Sequence, residues 1–519
     1  MKIDRIPNPG IGPNPDAGAR GFVVRPARLA WRHRTAGAIG VDLRLPAVAI
    51  CFALAACSLG PDYKRPDVAV PAQYRDAQQP AGEKSLADLA WWDLYRDPVL
   101  ERLIAVALER NYDVRVALAR VDEFRATAGV AGLGSIPQVS VGTDASHSRI
   151  SAVGPSPVPA GTQLVRSTFD AGVNVSYEVD LWKRIASLQD AARADLLASE
   201  YARDTTRVTV IASVATSYFA LRSLDRQLVI TRRTLVTREK FLELTRAQMR
   251  RGVVSGLDVG RAEASVATAR AVIPDLQRQI IQTENALQIL LGENPAPILR
   301  DTPTDSAFFP LPPEVPSGLP AALLERRPDL RLAESTLLGA NARLRSVKAS
   351  LFPTISLTGN YGWQSTQLSN LFTGPAKVWS FGLSLLQPII DVNRNKFQVD
   401  VYTAREQQAI AQYQQAVAQA FREVSDALAA RQGYDEQIRA QEQQVAALRA
   451  VTQRVMKRYA AGYSSYFEVI DADGNLFAAE LLLAQAYQNA LVSLVQLYKA
   501  LGGGWLAQMP ETSPPDTGG

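Results

Sequence analysis

The chain has 519 residues, 47% of them hydrophobic, and a formal charge of +5, which alone would suit a nucleic-acid or anionic-lipid partner. The excess lies wholly in residues 1–56, where Lys2, Arg5, Arg20, Arg25, Arg28, Arg32, Arg34 and Arg44 face only Asp4, Asp16 and Asp42; the remainder is formally neutral, and no nucleic-acid partner is expected. Cys51 and Cys57 are the only cysteines and His33 and His147 the only histidines, so zinc clusters, cysteine nucleophiles and histidine-based triads are disfavoured on inventory, and neither an enzyme nor a cofactor protein is expected.

Residues 45–56 form an apolar run of about 12 residues behind Arg44, too short to cross a bilayer as a helix and suited to a signal-peptide core. Residues 1–56 are therefore read as a leader. The run ends Leu54-Ala55-Ala56-Cys57, which resembles a bacterial lipobox and implies cleavage before Cys57 and a covalent lipid on that residue. Ser58, where an Asp would signal inner-membrane retention, favours outer-membrane sorting. A plain secretory peptide beside an unrelated cysteine is the alternative.

Residues 57–96 read as a lipidated arm, Pro-rich and extended over 60–80. Helices are expected over 98–110 and 113–133, with Asp97 and Asp113 placed to cap them or favour their positive starts. The period then changes to two. Val139, Val141, Thr143 and Ala145 alternate with Ser140, Gly142, Asp144 and Ser146; Phe169, Ala171, Val173, Val175 and Tyr177 alternate with Asp170, Gly172, Asn174 and Ser176. These are strands of about ten residues, the length a membrane-spanning strand needs. A stretch of about 67 residues without Gly or Pro follows at 185–251, long enough for one helix of roughly 100 Å. After a turn, residues 257–291 read as a helix kinked at Pro274.

A Pro-rich connection at 301–326 separates residues 97–300 from a second half, 327–505, that repeats the order. Arg327-Pro328-Asp329-Leu330 opens a helix; Ile355, Leu357, Gly359, Tyr361 and Trp363 form one strand face, and Trp379, Phe381, Leu383 and Leu385 another. The second rod, 395–461, is interrupted only by Gly433 and is followed by a helix over 467–501; residues 506–519 read as a disordered tail. Four strands cannot close a barrel, because an open edge in lipid leaves backbone groups unpaired and the smallest single-chain barrels have eight strands. An oligomer is therefore expected. A soluble hairpin packed on a helical body is the alternative.

Gly60-Pro61-Asp62-Tyr63-Lys64-Arg65-Pro66, Trp91-Trp92-Asp93, Asp97-Pro98-Val99-Leu100 and Asn111-Tyr112-Asp113-Val114 resemble the opening of outer-membrane efflux lipoproteins of the TolC/OprM type, and the resemblance runs to about Trp505. It implies a mainly α fold with a membrane β-barrel: two repeats, four strands per subunit, and a homotrimer whose twelve-stranded barrel continues into a long α-helical periplasmic tunnel. It further implies a passive channel in the outer membrane that conducts drugs or other small solutes. Its partners would be a periplasmic adaptor and an inner-membrane pump of the resistance-nodulation-division type. A non-transporting envelope scaffold made of the same rods is the alternative.

The two turns that end the rods align internally: Gly252-Val253-Val254-Ser255-Gly256-Leu257-Asp258 lies against Gly462-Tyr463-Ser464-Ser465-Tyr466-Phe467-Glu468. In each a Gly ends one helix and Ser-x-x-Asp/Glu starts the next, a capping box that would by itself account for Gly252, Ser255, Asp258, Gly462, Ser465 and Glu468. Past the turns the repeats differ. Asp258 is followed by Arg261, expected as a self-neutralising pair, whereas Glu468 is followed by Asp471 and Asp473, acid upon acid. The family resemblance implies that Glu468 and Asp471 lie at the periplasmic entrance, where threefold symmetry would gather a carboxylate ring, with Val469 and Ile470 as an apolar constriction. It also implies that Gly252, Ser255, Gly462 and Ser465 mark the tips where the adaptor docks.

Overall fold

The computed structural model describes residues 63–75, 95–154, 158–301, 320–387, 389 and 392–503. Cys57 and the leader, Trp91-Trp92-Asp93, most of the Pro-rich connection and the 506–519 tail lie outside the described residues.

Helix α1 (Pro98–Arg110) starts where Asp97 accepts from the amides of Val99 and Leu100, with Pro98 at a position whose missing N–H costs nothing. The cap of α2 (Tyr112–Leu133) is Asn111 rather than Asp113: its Oδ1 accepts from Asp113 N at 2.8 Å and Val114 N at 3.1 Å, and its amide donates to Leu290 O. Asp113 occupies the first turn, where its charge still suits the positive helix end.

Strands β1 (Gln138–Arg149) and β2 (Val165–Val179) lead into α3 (Arg184–Arg250), whose 67 residues span roughly 100 Å. Asp180 secures its start by accepting from Ile185 N and Ala186 N. Helix α4 (Gly256–Leu290) returns and is assigned as one element through Pro274. In the second half come α5 (Leu323–Arg326), α6 (Pro328–Ala349), β3 (Thr354–Ser365), β4 (Lys377–Leu386), α7 (Val392–Ala460, 69 residues) and α8 (Tyr466–Ala500). The expected repeat is thus present: helix, two strands, rod, turn, helix, twice.

The strands form one antiparallel sheet in the order β1-β2-β3-β4, so the halves join where Val173 faces Tyr361. Register separates two faces. Val141, Val173, Tyr361 and Trp379 share one, whereas Asp144, Asp170 and Gln364 share the other, where Gln364 donates to Asp170 and Asn360 to Asn174. The apolar face is open: Trp379 is 77% and Phe381 74% exposed. At Gly362 a Cβ would fall 2.3 Å from Ala171 O, so only glycine fits the approach of β2 to β3. Among the described residues the outer edges of β1 and β4 have no partner strand.

At the foot of the sheet Trp182 donates to Pro353 O and lies 5.0 Å from Phe352, tying the two strand-to-helix junctions together. Below, α3 buries small residues such as Ala191, Ala194, Ala198, Thr231 and Thr234, which lets neighbouring rods approach closely. The largest core joins α1, α3, α4 and α8 through Leu100, Tyr218, Phe219, Leu287 and Leu494. Among the described residues, no helix is long and apolar enough to cross a membrane.

Candidate functional site at the helical tips

Both rods end at glycines with positive φ, +73° at Gly252 and +80° at Gly462, a conformation that side chains with a Cβ rarely adopt. The next helices start with the expected capping boxes. Ser255 N donates to Asp258 at 3.2 Å and its hydroxyl at 2.9 Å; Ser465 N donates to Glu468 at 3.1 Å, while Glu468 N donates to Ser465 Oγ. The Ser465 amide is the main reason the Glu468 carboxyl sits below the usual carboxylate range. All four small residues, Gly252, Ser255, Gly462 and Ser465, are exposed.

The charges past the caps are arranged differently from expectation. Among the described residues no ion pair joins Asp258 and Arg261: Asp258 is committed to Ser255, and the Arg261 guanidinium lies 5.6 Å over the Phe467 ring of the other hairpin. The acid upon acid of the second repeat is also resolved. Asp473 turns inward and pairs with Arg238 at 2.7 Å, while Arg238 also donates to Ser265 O and lies over Phe477. Burial pushes the Asp473 carboxyl up, and Arg238 pulls it back. Glu468 and Asp471 remain exposed, and Asp471 accepts from Asn475.

Val469 does not join them. It is 3% exposed, in a cluster with Ala262, Tyr459 and Tyr466, because this first turn of α8 must bury one face against α4 and α7. Ile470 is half-buried against the same cluster.

Several contacts at this end had no sequence signal. Tyr459 donates to Gln248 at 2.6 Å, joining the ends of α7 and α3. Buried Glu480 is held between Arg233 of α3 and Arg449 of α7. Arg238 and Asp473 are 235 positions apart, beyond any local motif. Among the described residues no group of His, Cys, Asp and Glu is arranged to hold a metal ion.

Long paired rods, a four-stranded sheet whose outer edges are open among the described residues, and two capped tips define the fold class of this chain. The sequence profile described as "Outer membrane efflux protein" matches residues 103–293 and 319–503, and the chain belongs to that family. It is 36% identical to the antibiotic efflux pump outer membrane protein ArpC of Pseudomonas putida, over 88% of this chain and 94% of that protein. It is 32% identical to the probable outer membrane lipoprotein SilC of Salmonella typhimurium, over 89% of this chain and 99% of that one. Its fold is similar to the open state of the Neisseria gonorrhoeae MtrE outer membrane channel, with a TM-score of 0.77, 33% identity and coverage of 86% and 99% of the two chains. The chain is the outer-membrane channel component of a tripartite efflux system, a non-catalytic conduit with a large periplasmic helical portion.

Proposed function

We propose that three copies close a twelve-stranded barrel in the outer membrane. The observation that carries this is the sheet: among the described residues β1 and β4 end in unpaired edges while one face exposes Trp379 and Phe381. Edge-to-edge closure satisfies the backbone, and lipid covers the apolar face. The channel is passive, so its energy comes from an inner-membrane pump of the resistance-nodulation-division type, reached through a periplasmic adaptor. Its cargo is drugs or other small solutes, a class supported by the antibiotic efflux relative. The lipoprotein relative supports acylation at Cys57.

At the far end the adaptor contacts Gly252, Ser255, Gly462 and Ser465, whose small exposed surfaces admit another helix. Glu468 and Asp471 from three subunits form an acidic ring that favours cations. Ile470 is the apolar residue beside the ring; Val469, being buried, supports the turn from within.

Reconstitution in planar bilayers tests this reading. Trimers are expected to conduct, with a cation preference that falls in Glu468→Gln/Asp471→Asn. An ion-impermeable trimer would favour a scaffold over a channel, and unchanged selectivity in the double variant would remove these residues from the entrance.

A further inference from the structure

The charged residues of the four strands sort by face. Register places Asp144, Arg166, Asp170 and Glu178 on the polar face with Gln364, and Arg149 and Lys377 on the face of Trp379 and Phe381. The apolar face therefore carries two cations and no acid. Both are exposed and both sit at its hairpin end, where β1 stops and β4 starts. Neither hairpin loop adds an acid, since residues 150–164 and 366–376 contain no Asp or Glu. At the opposite end the same face presents Val139, Val179, Ile355 and Leu385, with no charge of either sign.

The surroundings suit a membrane boundary. Lys377 lies opposite Trp363 in the ladder, and Trp363 meets Tyr361 edge-on at 5.9 Å and Phe372 of the loop at 5.5 Å. Leu368 and Phe372 are exposed in that loop. Aromatic rings gather in this way where lipid meets water. From Lys377 to Leu385, β4 runs about 27 Å, which at a tilt of about 40° covers about 21 Å of height; the apolar band of such barrels is about 25 Å tall. Lys377 is thus at the border of the band, where a long side chain reaches the headgroups.

Depth alone does not select a sign, because Gln or Glu would meet water at that border as well as Lys. Cations alone, with acids kept off the face and out of both loops, complement an anionic surface.

We propose that the hairpin end of the apolar face is a collar that binds anionic, phosphate-bearing lipid headgroups of the outer leaflet, with Arg149 and Lys377 as the phosphate contacts. This rests on reading that face as the lipid-facing wall of a barrel whose rods are periplasmic, which puts the hairpins at the outer side. Arg149 is on β1 and Lys377 on β4, the two edge strands. Closure of the ring therefore sets cations of neighbouring subunits on adjacent strands of one face, and a headgroup phosphate held there offsets their repulsion.

Full-length trimers in phosphatidylcholine nanodiscs are titrated with diphosphorylated lipid A and with the same glycolipid stripped of its phosphates, and the retained lipid is read by native mass spectrometry. The wild type is expected to retain the phosphorylated form in preference. Each basic residue close to an anionic lipid surface contributes about fivefold in affinity, so Arg149→Gln/Lys377→Gln should lower that preference roughly twenty- to thirtyfold. Arg149→Lys/Lys377→Arg should keep it, which separates lost charge from lost folding, and so should Arg166→Gln on the polar face. Inserted wild-type trimers without a phosphate preference would overturn the collar alone, whereas a chain that never inserts would overturn the barrel and the collar together. Loss of the preference in Arg166→Gln, or displacement of the glycolipid by inorganic pyrophosphate, would assign the anion to the lumen or to solution and overturn the lipid collar.

Discussion

Removing the Arg238 guanidinium would leave Asp473 buried without its counter-charge, and breaking one side of a buried pair costs about 3–5 kcal/mol. Arg238→Met should therefore loosen the first turns of α8, seen as faster hydrogen exchange around residues 466–477, while Arg238→Met/Asp473→Asn recovers much of the loss. The pH dependence has a definite sign. Burial holds the Asp473 carboxyl above its unfolded value, so the folded state favours the protonated acid. That contribution is present at acid pH and falls as pH rises from the ordinary aspartate value of about 3.9 through the raised one. Arg238→Met, which leaves the upward push unopposed, should be better protected at pH 5 than at pH 8 once exchange is corrected for intrinsic rates, and the double variant should show little such slope. Glu468 runs the other way. The Ser465 amide keeps it ionised below the usual glutamate range, so its contribution to the cap is complete above the unfolded value and lost as pH falls through the lowered one. In bilayers, cation preference should survive mild acidification, and Ser465→Ala, which keeps that amide and removes only the weaker hydroxyl contact, should move its loss only slightly to higher pH.

At the scale of elements, strand pairing depends on positions that look unremarkable in composition. A Cβ on Gly362 meets Ala171 O at 2.3 Å, so Gly362→Val should separate β2 from β3 and abolish the oligomer band on a mild detergent gel, whereas Gly359→Ala, open on the same strand, should not. The rods, the strands and both capping boxes were legible because each is local: absence of Gly and Pro, period-two alternation, and Ser-x-x-Asp/Glu after a Gly. The charges past the tips were legible only in part. An i,i+3 rule suggested Asp258 with Arg261, but the Ser255 amide and hydroxyl had already taken the carboxylate, and the Phe467 ring came from a distant segment. Val469 was misplaced for a similar reason. An apolar residue beside two acids reads as a constriction, yet the short α8 start has to bury something, and Val469 is what it buries against Tyr459 and Tyr466.

For the whole molecule, the repeat foretold two quasi-equivalent staves, and the open sheet is the reason three copies are proposed to close the barrel. A charge on the exposed apolar face tests its orientation. Phe381→Arg should cost about 2–4 kcal/mol if that residue sits near mid-bilayer, and should shift protein from the outer membrane into a soluble or aggregated periplasmic fraction. Gln364→Arg, on the opposite face, should insert normally.

Those unpaired edges also make every subunit answerable to its neighbours. A chain whose β4 edge is blocked, for instance by Pro in place of Leu383, still presents a sound β1 edge and can be recruited into a ring that it then prevents from closing. In a cell making equal amounts of blocked and intact chains, random mixing into three-membered rings would leave roughly one ring in eight wholly intact. Such a variant is expected to act as a dominant poison of efflux, measurable as lost tolerance in cells that still carry the intact gene.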